Sequence, residues 1–331
     1  MNTSLTKEEM MPLNAPPMIT PTARSIMLPF RANFLNSFMN PMKWILLCYK
    51  IEFSISYFFR EGKVKHMFSA DFHIHSDHES KRGRTEKMQE YVEEVYRHGM
   101  TTAGFSEHYW NGAFSGWGKW YQPQTTKQLE EIREAAQKVR LPEGIRIRIG
   151  CESEYSKDGV IPLTMEDVRA LDYVIVPHSH LNMVGTVTEH SYQKDPKGAA
   201  RYMVRTFMEV MRHKMAEHIT ILAHPFVPVG MDEEQDAVLS YITNEEFIQS
   251  ARAARDMGIA LEINSLTWRG KTMEEVEHSE FIRFYRIARE EGCCFTFGSD
   301  AHGIRQYQYL PLAEKVAALS GITGEDMHNI P

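Results

Sequence analysis

Cysteine is scarce. The chain has four in 331 residues, with Cys293 and Cys294 adjacent and no C-x-x-C spacing. That excludes a disulfide framework and a cysteine-type zinc site, and it suits a reducing cytoplasm. A basic excess is missing too: 37 Lys and Arg stand against 44 Asp and Glu, for a net charge of −7. Such a balance does not draw a protein onto a long phosphate backbone, so binding of long nucleic acid is not expected, although a small local phosphate site is compatible with it. Neither G-x-G-x-x-G nor G-x-x-x-x-G-K-[ST] occurs, so the usual nucleotide-binding signatures are lacking. No apolar run is long enough to span a bilayer. The strongest candidate, residues 44–59, has 16 residues interrupted by Lys50 and Glu52, against the ~20 a spanning helix needs. A membrane anchor is therefore not expected.

What remains is an ordinary globular composition, 43% hydrophobic and 24% charged, with 15 histidines as its one unusual count. The length suits one α/β barrel or two average domains. Residues 1–66 differ from the rest. They are rich in proline (Pro12, Pro16, Pro17, Pro21 and Pro41 among them) and show no sustained period. They read as a leader, disordered or an over-extended start, with Met67 as the expected initiator of a catalytic domain spanning 67–331.

From Met67 onward, strand and helix signals alternate. Short β-like runs fall at 69–75, 102–106, 145–151, 173–176, 220–223, 260–263 and 294–297. Helical spacing lies between them: Met88, Tyr91, Val92, Val95 and Tyr96, then Leu129, Ile132, Ala136 and Val139. Thr243 to Glu246 has capping-box form and opens a helix with Phe247, Ala251 and Ala254 on one side. Residues 198–216 and 279–291 also read as helices. Seven βα units imply parallel strands with crossover helices, and about 265 residues fit a (β/α)7 barrel better than an open doubly wound sheet.

The unusual residues follow the strands. In chain order the strand ends carry His73 and His75, His108, Glu152, His178 and His180, His224, Glu262, then Asp300 and His302. In a parallel barrel these ends converge on one face. His73 and His75, two apart on a strand, point the same way and can chelate one ion together. A lone histidine is more often a surface or core residue, which suits His66, His98, His190, His213, His218, His278 and His328. For Glu262 a solvated loop acid is an acceptable reading. Eight or nine candidate ligands exceed the roughly four that one zinc takes, and suit two or three ions. Histidine and carboxylate ligands without thiolate favour zinc, manganese or iron over calcium.

At these residues the sequence resembles the PHP (polymerase and histidinol phosphatase) family of metal-dependent phosphoesterases. The resemblance runs from Met67 to about residue 320: the H-x-H opening, "SEH" after the second strand, G-x-E, "AHP", "LEINS" and the closing "GSDAH". It implies a distorted (β/α)7 barrel and a metal cluster. His73, His75, Glu152 and Asp300 would hold one ion. Glu152 would bridge to a second, held by His224 and a strand-four histidine, either His178 or His180, with His180 favoured because it lies just past Pro177. His108 and His302 would hold a third, with His78 the candidate for its remaining ligand. Asp300, His302 and His224 are the candidate catalytic residues. Arg269 and Arg305, just beyond strand ends, are candidates to clamp phosphate. Trp110, Trp117, Trp120 and Tyr121 would form an aromatic lid or a plug over the barrel mouth. The implied reaction is hydrolysis of a small phosphate monoester by attack of a metal-bound hydroxide. Histidinol phosphate, and with it a place in histidine biosynthesis, is the leading substrate expectation. The alternatives are a nucleotide or nucleic-acid-end phosphoesterase and a non-catalytic metal-holding PHP regulatory module. An amidohydrolase on a related barrel would need a carboxylated lysine at a strand end, and none is evident.

Overall fold

The computed structural model describes residues 67–76, 87–118, 121–328 and 330. Residues 1–66 and His78 lie outside these, as does the apolar run at 44–59. Among the described residues no helix is long and apolar enough to cross a membrane.

Seven strands form one parallel sheet in sequential order: β1 Ala70–Ile74, β2 Thr102–His108, β3 Arg146–Glu152, β4 Tyr173–Pro177, β5 Ile221–Ala223, β6 Ala260–Asn264 and β7 Phe295–Gly298. The seven expected runs match these within a few residues. Most strand positions are buried on both faces, as a barrel interior beneath covering helices requires. The sheet curls until its edges meet. Ile74 and Ala301 form a parallel bridge, and the His75 N–H donates to Ala301 O at 3.1 Å. The buried carboxylate of Asp71 ties the same seam. It accepts from the N–H groups of His73 (3.1 Å) and Ser299 (2.9 Å) and from the Tyr307 hydroxyl (2.6 Å). The result is a nearly closed (β/α)7 barrel.

Tyr173 shows how the interior is filled. Its ring lies where Cβ atoms at Gly104 and Gly150 would stand, 2.6 and 2.5 Å from its nearest atoms, and its hydroxyl donates to Phe72 O at 2.8 Å. Only glycine leaves room for that ring, which is why two strands carry a glycine mid-run.

The helices are α1 Met88–Arg97, α2 Thr126–Ala136, α3 Met165–Arg169, α4 Pro196–Arg212, α5 Gln235–Ser240, α6 Asn244–Met257, α7 Met273–Glu277, α8 Glu280–Glu290 and α9 Leu310–Leu319. In α1, Met88, Tyr91, Val92 and Val95 are buried, but Tyr96 is 54% exposed and does not belong to the stripe. Thr243 caps α6 as expected, accepting from the Glu246 N–H while Glu246 reaches back to the Thr243 N–H at 2.8 Å. Phe207 of α4, Phe247 of α6 and Phe284 of α8 meet Phe226 with ring centroids 4.9–5.1 Å apart, closing the layer between sheet and helices.

Candidate metal centre

Each strand end delivers its residue to one place. Glu152, at the end of β3, is the centre. Its Oε2 faces His108 Nε2 (2.9 Å), His73 Nε2 (3.4 Å) and His75 Nε2 (3.5 Å). Its Oε1 faces His224 Nε2 (3.3 Å) and His180 Nε2 (4.0 Å). Asp300 Oδ1 stands opposite, 3.4 Å from His75 and 3.7 Å from His73. Three groups therefore have ligand atoms close enough to share an ion: His73, His75 and Asp300; Glu152, His180 and His224; His75, His108 and His302. One carboxylate with its two oxygens turned to different histidine sets is the arrangement that lets neighbouring cations share a ligand.

The electrostatics fit cations. Burial would push the His73 imidazole toward neutrality, but Glu262, Asp300 and Glu152 outweigh it and hold its pKa well above the usual value. Burial likewise opposes ionisation of Glu152 and Asp300, yet His73 and its neighbours draw both well below the ordinary carboxylate range. The acids thus demand positive charge at this point. His73 Nδ1 lies 2.7 Å from Glu262 Oε1, which keeps the ring proton there. Its Nε2 makes no hydrogen bond with any described residue and faces two carboxylates, which favour a positive charge there, either a proton or a cation. A divalent cation resolves that contact.

Other side chains set the ring orientations. Glu262 is buried on β6. Besides His73 it accepts from the His224 N–H at 2.6 Å and from Asn264 at 3.1 Å. The reading of Glu262 as a solvated loop acid is thereby corrected. Glu154, fully buried, holds His180 Nδ1 at 2.5 Å and accepts from the Tyr121 hydroxyl at 2.7 Å. His302 Nδ1 must donate to Asp300 O at 2.7 Å, because a carbonyl only accepts. All three rings therefore keep Nε2 as the lone-pair nitrogen. Glu154 escaped sequence reasoning, and Glu262 was noted at a strand end without this role. The repeated acid in "ESE" was the available sign for Glu154. We expect Glu154→Gln and Glu262→Gln each to weaken metal affinity by about 10–100-fold in chelator competition, as loss of such supporting groups does.

His178 is placed elsewhere. Its Nε2 accepts from the Phe226 N–H at 3.0 Å, its Nδ1 lies 3.4 Å from the Thr206 hydroxyl, and its ring packs edge-on against Phe207 and Phe226. Its lone pair is already used. Burial lowers its pKa to about 3. The unfolded chain then takes up a proton near 6.5 that the folded one refuses, so the stability from this site is complete above pH 6.5 and falls as pH drops toward 3, by up to about 5 kcal/mol. Denaturant midpoints should decline more steeply across that range in the wild type than in His178→Gln.

Backbone strain gathers at the same ends. His224 (φ 29°), Phe226 (60°) and Asp300 (51°) hold left-handed conformations that bulky residues avoid. The bond from the His224 N–H to Glu262 pins the first of them. Gly298 is needed for a different reason: a Cβ there would collide with the Glu262 carboxylate and stand 2.7 Å from His73 Cβ.

The cluster opens into a cavity of about 350 Å³, lined by Glu152, His108, His180, His224, Asp300 and His302 and, beyond them, by Arg269 and Lys271. Arg269 pairs with Asp232 at 3.5 Å. Arg305 is exposed on the 3-10 segment Ile304–Tyr309 and is not among the lining residues. Lys271, which the sequence did not single out, lines the cavity beside Arg269 where Arg305 was expected. Of the aromatic residues after β2, Trp110 and Tyr121 are buried with Met183 and Val187, Trp117 is half exposed, and Trp120 lies outside the described residues.

A parallel barrel with a histidine and carboxylate cluster at its strand ends defines a metal-dependent hydrolase class. The PHP domain model matches residues 71–265, and the chain belongs to that family of metal-dependent phosphoesterases. Among solved structures the fold is similar to a histidinol phosphate phosphatase from Lactococcus lactis subsp. lactis, determined with zinc, L-histidinol and phosphate. The two share 19% identity with a TM-score of 0.53, over 79% of this chain and 99% of that one. It is also similar to a protein from Listeria monocytogenes provisionally assigned as a histidinol phosphatase, at 13% identity and a TM-score of 0.52, over 72% and 98% of the two chains. No curated protein matches the sequence significantly.

Proposed function

We propose that this protein hydrolyses a small phosphate monoester, with histidinol phosphate the first substrate to test. The observation that carries this reading is Glu152, whose two oxygens face five imidazoles at the floor of a cavity rimmed by Arg269 and Lys271. His73, His75 and Asp300 would hold one cation, His180 and His224 a second with Glu152 shared, and His108 and His302 a third. Zinc, manganese or iron suits such ligands. Bound cations supply Lewis-acid stabilisation of the phosphoryl oxygens and acidify water. The chain's own residues do the rest. Arg269 and Lys271 attract the phosphate and hold it at the mouth. Asp300 stays ionised and orients His302 through its carbonyl. The leaving-group oxygen would take its proton from water in the cavity, because His224 and His302 are engaged as cation ligands. Purified, metal-supplemented protein should release phosphate from histidinol phosphate or another monoester in a panel. Release from none of them would overturn the reading.

The catalytic domain is proposed to span residues 67–331, because all seven βα units lie there. That segment, expressed alone, should remain soluble and match the full chain in thermal unfolding and turnover.

A further inference from the structure

We infer that Asn264 is a positioning residue that makes Asp300 a one-oxygen ligand, and that it favours zinc over calcium at the His73 and His75 end of the cluster. The inference rests on the metal centre proposed above and adds what governs its choice of cation.

Asn264 ends β6 two residues past Glu262, so the two side chains leave the strand on the same side. It is 2% exposed, lines the cavity and belongs to none of the three ligand groups. Both ends of its amide are engaged. Nδ2 donates to Glu262 Oε2 at 3.1 Å and to Asp300 Oδ2 at 3.3 Å. Oδ1 accepts from the Thr267 N–H at 3.1 Å and from the Thr267 hydroxyl at 3.3 Å. These partners fix which end is which, because a backbone N–H only donates and an ionised carboxylate only accepts. Thr267 lies in the 3-10 turn Leu266–Trp268, which anchors the amide from behind.

The consequence falls on Asp300. Its φ of 51° is a conformation that non-glycine residues avoid, so surrounding contacts must hold it. A carboxylate free to turn about its Cβ–Cγ bond offers a cation either oxygen or both. Asn264 occupies Oδ2, which leaves Oδ1 turned to His73 and His75 at 3.7 and 3.4 Å. The same amide holds Glu262 Oε2, while Glu262 Oε1 meets His73 Nδ1 at 2.7 Å. One side chain thus directs an oxygen ligand and, through Glu262, an imidazole ligand. Two imidazoles and one carboxylate oxygen suit the small coordination shell of zinc, about four ligands. Calcium takes about six to eight oxygens and can use both oxygens of a carboxylate. Holding Asp300 to a single oxygen therefore works against calcium and for zinc.

The test titrates metal-free wild type and Asn264→Leu with zinc and with calcium in chelator-buffered solution. Leucine keeps the size and removes the donors and the acceptor. Zinc should bind Asn264→Leu at least tenfold more weakly, as loss of a supporting group does. Calcium binding should not weaken, so the zinc-to-calcium affinity ratio falls at least tenfold. Asn264→Ala, with the same expected fall, serves if the Leu variant does not fold. A merely structural role would weaken both cations alike, and a ratio that changes by less than tenfold in the folded variants would overturn the role of Asn264. A wild type that binds no zinc would overturn the metal centre and this inference with it. Phosphate release from a panel of monoesters, followed on the zinc-loaded wild type, keeps the two readings apart. Zinc binding without release from any of them counts against the phosphoesterase reading, while the titrations still decide what Asn264 does.

Discussion

Glu152→Gln and Asp300→Asn should each lower turnover by more than about 100-fold while leaving the barrel folded. Both changes keep size and hydrogen-bonding capacity and remove one negative charge. Among the described residues Glu152 alone faces all of His73, His75, His108, His180 and His224, so its loss acts on every proposed ion at once. Asp300 acts on the pair His73 and His75 and is held in a strained conformation beside them. Losing a direct ligand should exceed the roughly 10–100-fold effect of losing a supporting group. His213→Gln and His218→Gln provide the contrast. His213 follows α4 and accepts from the Met215 N–H, and His218 ends a short 3-10 segment beside Glu217, both away from the cluster. Their effect on stability should stay within about 0.5 kcal/mol. Equal losses of turnover from these histidines and from the carboxylates would contradict the site's placement at the strand ends.

Removal of metal by a strong chelator should abolish activity and lower the thermal midpoint. Without cations, two carboxylates, Glu152 and Asp300, face His73 Nε2 at 3.4 and 3.7 Å with only protonated imidazole to offset their charge. Relieving that arrangement stabilises only the folded state. A cation present at 100 times its dissociation constant contributes about 2.7 kcal/mol, and each kcal/mol moves the midpoint of a domain this size by about 2–4 °C. Adding back zinc or manganese should restore both activity and midpoint. Activity indifferent to the chelator would remove the basis for metal-dependent chemistry.

Much of this was legible because parallel βα units fix where strand ends go. Once seven units were read, His73, His75, His108, Glu152, His224, Asp300 and His302 had to share a face whatever their separation in sequence, and the barrel places them there. The helices α3, α5 and α7 were not legible, since five or six residues are too few to show a period. The Leu310–Leu319 helix is apolar nearly all round and shows no stripe. Burial of single acids was also hidden. Glu262 looks like any acid after a strand until His73 and the His224 N–H are brought to it from 189 and 38 residues away. His178 and His180 share one H-x-H pattern, and what separates them is Thr206 and Phe226 on one side and Glu154 on the other. Arg269 and Arg305 looked alike because both follow strand ends. Only the path of the loops turns one to the cavity and the other to solvent.

Elemental analysis of the protein as purified, with metal counted per chain, tests the proposed cluster most directly. Two or three transition-metal ions per chain in the wild type, falling in Glu152→Gln, is the expected result. At most a trace of metal in wild-type protein that is folded and hydrolyses phosphate esters would contradict the metal centre itself.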